Sequence, residues 1–242
     1  MEYSKSIPRP IAQNFKDIRT VRQNNNNKIV YESLTTGNLK TLHENINHKE
    51  YDRTLEDLEI TEAEFIVKCK DSLFAKLSSR TISKNASRQG SKDELEQLRT
   101  CNITAEKCGL VIENLTTTEL RPTKDGDIVL KSEMKKQGIQ KDCCLKSFDA
   151  KISGKFNGFI TAKVAYGSGG HQDNVFGEMD IIAEWWKKYK SETKEVIIIL
   201  IDTDLIVKFN RVKSKYNSVN NVMVFNHIEF QQYMIDTYYI LD

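Results

Sequence analysis

The run Val196-Ile197-Ile198-Ile199-Leu200-Ile201 constrains the fold of this 242-residue chain more than any other segment. Its residues are all aliphatic and mostly β-branched, which favours an extended strand, and the lack of polar alternation means that both faces of that strand are covered. Such a strand belongs inside an α/β sheet with helices on each side. The surroundings agree. A helix is expected from about Asp173 to Tyr189, a second apolar strand at Asn221-Val222-Met223-Val224-Phe225, and a terminal helix from about Ile228. Upstream, strands are expected at 127–133, 142–151 and 159–165. The reading is an α/β fold, a central mixed β-sheet flanked by helices, behind an N-terminal mainly helical region.

Residues 1–60 are polar and include Gln23-Asn24-Asn25-Asn26-Asn27, which suggests either a loosely structured segment or an arm that wraps a partner. From Thr61 the pattern turns helical, with Phe65, Ile66, Cys69, Leu73 and Leu77 at helical spacing. Ser91 followed by Glu94 is a capping-box pattern, expected to open a short helix through Leu98. A third helix is expected from near Thr104, carrying Cys108, Val111, Ile112 and Leu115. The division is therefore drawn at 1–103 and 104–242. No apolar stretch approaches the ~18 residues that span a bilayer. The five cysteines are odd in number and contain no C-x-x-C, which fits reduced thiols in a cytoplasm rather than a disulfide framework or a zinc site. A net charge of +2 excludes a strongly basic coating protein but not a nucleic-acid binder.

The chemistry is concentrated around Asp149-Ala150-Lys151. An acid and a lysine two apart on a strand share one face. Similar triplets occur at Glu133-Met134-Lys135 and Glu192-Thr193-Lys194, but only Asp149 follows an apolar strand and precedes a glycine-rich loop. A strand opening at Asp125-Gly126-Asp127, folded back as a hairpin, would bring Asp127 or Asp125 beside Asp149. Two carboxylates and an ammonium around one point suit Mg²⁺-dependent cleavage of a phosphodiester.

The region from about 105 to 230 resembles the PD-(D/E)xK nuclease superfamily, and within it type II restriction endonucleases, through Asp127 (or Asp125), Asp149, Lys151 and Glu113. The Pro-Asp dipeptide of that family is missing, since Pro122 stands apart from both acids. The resemblance implies a homodimer that cuts double-stranded DNA at a specific sequence with Mg²⁺. Asp127, Asp149 and the carbonyl of Ala150 would be metal ligands, and Lys151 would orient water or offset charge on the phosphate. Glu113, expected on a helix before the sheet, would hold a second metal or a water. The alternatives are a structure-specific repair or junction nuclease of the same superfamily, and an inactive DNA-binding module.

Two segments are candidates for DNA contact. Lys163, His171, Gln172, Asp173 and Asn174 flank the Gly167-Ser168-Gly169-Gly170 loop, where amide side chains can read adenine edges and glycines allow close backbone approach. The stretch 80–92 carries Arg80, Lys84, Arg88 and Gln89 and is free of acids, which suits phosphate clamping.

Overall fold

A computed structural model of the chain describes residues 11–84, 86–115, 120–165 and 170–239, without the side chains of 11–16, 86–91 and 170–173. Phe15–Ser91 form one compact unit, and Lys92–Asp242 together with the residues up to Asn14 form the other. The division at 91/92 falls inside one helix. The later residues of that helix pack in the core of the second unit.

In the first unit, α1 (Ile11–Thr36), α2 (Leu39–Asn45), α3 (His48–Asp57), α4 (Glu62–Lys68) and α5 (Ser72–Ile82) enclose a core of Val30, Leu34, Leu42, Tyr51, Phe65 and Ile82. From residue 11 on, the segment expected to be loosely structured or an arm is thus mainly helical. Its amide-rich run is anchored by hydrogen bonds: Asn26 Nδ2 donates to the Ser83 carbonyl at 2.7 Å and Gln23 Nε2 to Ser83 Oγ at 3.3 Å. Helix α4 opens on a capping box, with the Thr61 N–H donating to Glu64 Oε2 at 2.8 Å and the Glu64 N–H to Thr61 Oγ1 at 3.3 Å. Thr61→Ala is expected to cost about 1 kcal/mol, and Thr61→Ser to cost much less, in urea denaturation followed by circular dichroism.

In the second unit, α6 (Ala86–Lys107) leads into β1 (Leu110–Asn114). The chain then forms β2 (Leu120–Pro122), β3 (Ile128–Leu130), a short α7 (Lys131–Met134) and a 3₁₀ turn at Lys141–Cys143. After these come β4 (Ala150–Gly154), β5 (Gly158–Ala165), α8 (Gly170–Tyr189), β6 (Val196–Thr203), α9 (Ile206–Tyr216), β7 (Val222–Phe225) and α10 (His227–Tyr238). The five-stranded sheet has the order β1-β4-β5-β6-β7, antiparallel from β1 to β5 and parallel from β5 to β7. The two parallel steps need crossovers, which α8 and α9 supply.

The run at 196–201 behaves as its composition requires. Ile197, Ile199 and Ile201 pack with α8 and α9 through Met179, Trp186, Phe209 and Val212. Val196, Ile198 and Leu200 pack on the other face with α6 and α10 through Leu98, Cys101, Phe230 and Met234. Both faces are dry, so the strand carries no alternation.

Three local expectations are corrected. α6 is continuous across 91–94, so Ser91 and Glu94 do not open a helix. The segment 110–114 is a strand because α6 ends at Lys107, Gly109 just beyond it has a φ of +72° that suits the glycine closing a helix, and the residues from 110 alternate buried and exposed. The strand expected at 127–133 shortens to β3, the one expected at 142–151 is displaced to β4 at 150–154, and β3 and β4 do not pair with each other. β3 pairs with β2, while residues 143–148 run along the opposite side of β2.

Candidate active site

Asp149 stands immediately before β4, with its N–H bonded to the Ile160 carbonyl at 2.9 Å. Because Ala150 faces Ile160 in the β4–β5 register, Asp149 lies opposite Thr161, and Lys163 is its diagonal neighbour. Asp149 Oδ2 accepts hydrogen bonds from the Ala162 N–H at 2.8 Å and from Thr161 Oγ1 at 3.2 Å. Lys163 Nζ lies 3.7 Å from the same oxygen and donates to Glu94 Oε1, on α6, at 2.7 Å. It also donates to the Ala162 carbonyl at 2.7 Å. The three charged side chains are 13–19% exposed, so they are largely screened from bulk water yet reachable from it. At the rim, Lys146 and Glu178 of α8 form an ion pair at 2.5 Å.

Two carboxylates therefore share one buried ammonium. Burial acts to depress the Lys163 ammonium, but Asp149 and Glu94 outweigh it and hold Lys163 above the usual lysine value. Glu94 is held above the usual glutamate value, first by burial and then by the Asp149 charge, against the pull of Lys163. The folded state thus binds a proton at Glu94 more tightly than the unfolded chain does, so the cost of this acid grows as pH rises through its raised value. Glu94→Gln is expected to gain stability relative to the wild type between about pH 4 and about pH 7, read by urea denaturation across that range. A difference that does not change with pH would contradict this.

The structure distributes the sequence candidates differently from the expectation. Asp149 is at the centre. Lys151, on the same face, is exposed and sits opposite Glu113 of β1 rather than against Asp149. Glu113 lies on a strand, not a helix, and it too is exposed. Ala150 is buried at the first position of β4. Asp127 and Asp125 are exposed in the β2–β3 turn. That turn is closed by the Thr123 N–H to the Asp127 carbonyl at 2.8 Å and pinned to the end of α8 by Trp185 and Tyr189. Asp127 stands level with Thr123, which bridges Cys144, five residues before Asp149 in the chain.

Of the residues assigned to DNA contact, Lys163 belongs to the carboxylate cluster. Arg80 is exposed in the last turn of α5, Lys84 is exposed just beyond it, and Asn174 is exposed on α8. The backbone of 86–92 is helical rather than a loop. The side chains of Arg88, Gln89, His171, Gln172 and Asp173, and residues 166–169, lie outside the described residues.

Sequence reasoning missed Glu94, Glu178 and the role of Lys163. Near the cluster, His227 is buried against Asp202, with Nδ1 2.8 Å from Oδ1. Among the described residues, no three His, Cys, Asp or Glu side chains form a metal-holding group by themselves. The five cysteines form no disulfide, and no described helix is long and apolar enough to cross a membrane. No family model, curated protein or solved structure matches the chain.

Proposed function

We propose that this protein is a Mg²⁺-dependent endonuclease of the type II restriction class, hydrolysing phosphodiester bonds of double-stranded DNA at a specific sequence. The observation that carries the reading is the convergence of Asp149, Glu94 and Lys163 where β4 and β5 meet. A mixed sheet flanked by helices, with acids and a lysine at one end of a strand pair, is the layout that the sequence resemblance implies. Here the pair is β4–β5, and the lysine comes from Thr161-Ala162-Lys163 instead of Asp149-Ala150-Lys151. Thr161 stands where that motif has its second acid, so the second carboxylate would come from Glu94 or Glu178.

The donors suit Mg²⁺, which prefers hard oxygens and keeps several waters. Asp149 Oδ2 is committed to Thr161 and Ala162, while Oδ1 carries none of these bonds and can face a cation. A cation there would polarise the scissile phosphate and acidify a bound water. Lys163, freed from Glu94 when that carboxylate turns to the metal, would orient the water or offset charge developing on the phosphate. A homodimer would place one such site on each strand of a palindrome.

The test is incubation of the purified protein with a large unmethylated DNA, in Mg²⁺ and in EDTA, beside Asp149→Ala. Discrete bands that require Mg²⁺ and Asp149 support the reading. A smear would favour a structure-specific or nonspecific nuclease. No cutting would leave a DNA-binding module.

A further inference from the structure

Behind the carboxylate cluster lies a second polar group that the proposed chemistry does not use. Asp202, in register with Val164 at the end of β6, is fully buried. Its Oδ2 accepts from Gln97 Nε2 at 2.6 Å. Its Oδ1 accepts from the His227 N–H at 3.3 Å and meets His227 Nδ1 at 2.8 Å. Gln97 is also fully buried, and Nε2 reaches a second acceptor, the carbonyl of Lys163 itself, at 3.4 Å.

Gln97 is costly where it stands. With Nε2 serving two acceptors, Oε1 is left buried with no hydrogen-bond partner, a loss that an apolar residue would avoid. Toward the C-terminal end of α6 its neighbours on this face, Leu98, Cys101 and Ala105, are apolar, while Asp93, one turn earlier, is buried and polar like Gln97. The glutamine therefore calls for a reason outside packing. Its place supplies one: Glu94 is three residues earlier on α6, the spacing that puts two side chains on one helix face. A bond from Gln97 to the ends of β5 and β6 fixes the height and rotation of α6 at the turn that carries Glu94.

We propose that Gln97 is a positioning residue, anchored by Asp202 and His227, that locks α6 onto the ends of β5 and β6 so that Glu94 meets Lys163. The assignment rests on the reading of Glu94 and Lys163 as parts of one site, but its test needs no nucleic acid. A double-mutant cycle of Glu94→Gln and Lys163→Met, read by urea unfolding, measures how strongly the pair is coupled. In the native background the coupling is expected to change the unfolding constant on the order of tenfold. In a Gln97→Leu background it should be lost. In the exchange Gln97→Glu with Asp202→Asn, which keeps an amide-to-carboxylate bond with its polarity reversed, it should return. Should Gln97→Leu fail to fold, Gln97→Met, which keeps the length of the side chain without a donor for Asp202, takes its place with the same expected loss.

A merely structural glutamine would lower overall stability and leave the 94–163 coupling untouched. Coupling that persists without Gln97, or that the exchange does not bring back, overturns the proposal. Intact coupling in a protein that cuts no DNA would sink the nuclease reading alone.

Discussion

Lys163→Met is expected to lower Mg²⁺-dependent DNA cleavage by on the order of a hundredfold to a thousandfold, the usual loss when one group that stabilises developing charge is removed. Lys151→Met is expected to leave cleavage close to that of the wild type. The contrast is sharp because both lysines share the face of Asp149 and differ chiefly in where their ammonium groups go. Lys163 is 14% exposed, 3.7 Å from Asp149 and 2.7 Å from Glu94. Lys151 is exposed opposite Glu113 near the sheet edge. Single-turnover cleavage of one defined substrate, with DNA binding measured separately, decides between them. A large loss in Lys151→Met with little change in Lys163→Met would restore Asp149-Ala150-Lys151 as the catalytic triplet.

The largest effect on stability is expected from Trp186→Ala. Trp186 is fully buried and its ring meets Phe148 at 6.1 Å, Phe159 at 5.9 Å and Trp185 at 6.0 Å, centroid to centroid. Removing it should cost about 3–5 kcal/mol, a large part of the ~5–15 kcal/mol that holds a typical domain together. Trp186→Phe should cost far less. It keeps an aromatic ring in the cluster and deletes an indole N–H that is buried with no acceptor, so a lost contact is set against a relieved penalty. Urea denaturation of the two variants tests this. Equal losses would mean that ring size alone sets the cost.

The core of the fold was legible because it is written in local pattern. The all-aliphatic strand β6, the helix before it and the apolar strand after it can each be read from a window shorter than twenty residues. Helix α1 was not, because its amide run bonds to backbone groups far along the chain, and Asn26 to Ser83 has no local signature. The site was half legible for the same reason. Asp149 stands out at the head of an apolar strand, yet its partners are set by register. Lys163 becomes its neighbour only once Ala150 is known to face Ile160. Lys151 was the nearer choice in sequence, but in the sheet it stands opposite Glu113 of β1. Glu94 matched a capping box and was read as one, since nothing nearby shows that its helix begins several residues earlier.

The site also has an order of assembly. Asp149 and Thr161 are joined by a hairpin only twelve residues apart, while Lys163 and Glu94 are separated by 69 residues and Gln97 and Asp202 by 105. Short loops close first, because the entropy lost grows with the length of chain enclosed. The hairpin bearing Asp149 can therefore form early, whereas Lys163 gains its second carboxylate only after α6, β5 and β6 have come together. A chain emerging from the ribosome holds the pieces of the cluster long before it holds the cluster. If the cluster cuts DNA, that activity begins only when β6 has docked, and a truncated chain ending before β6 lacks the anchor for α6.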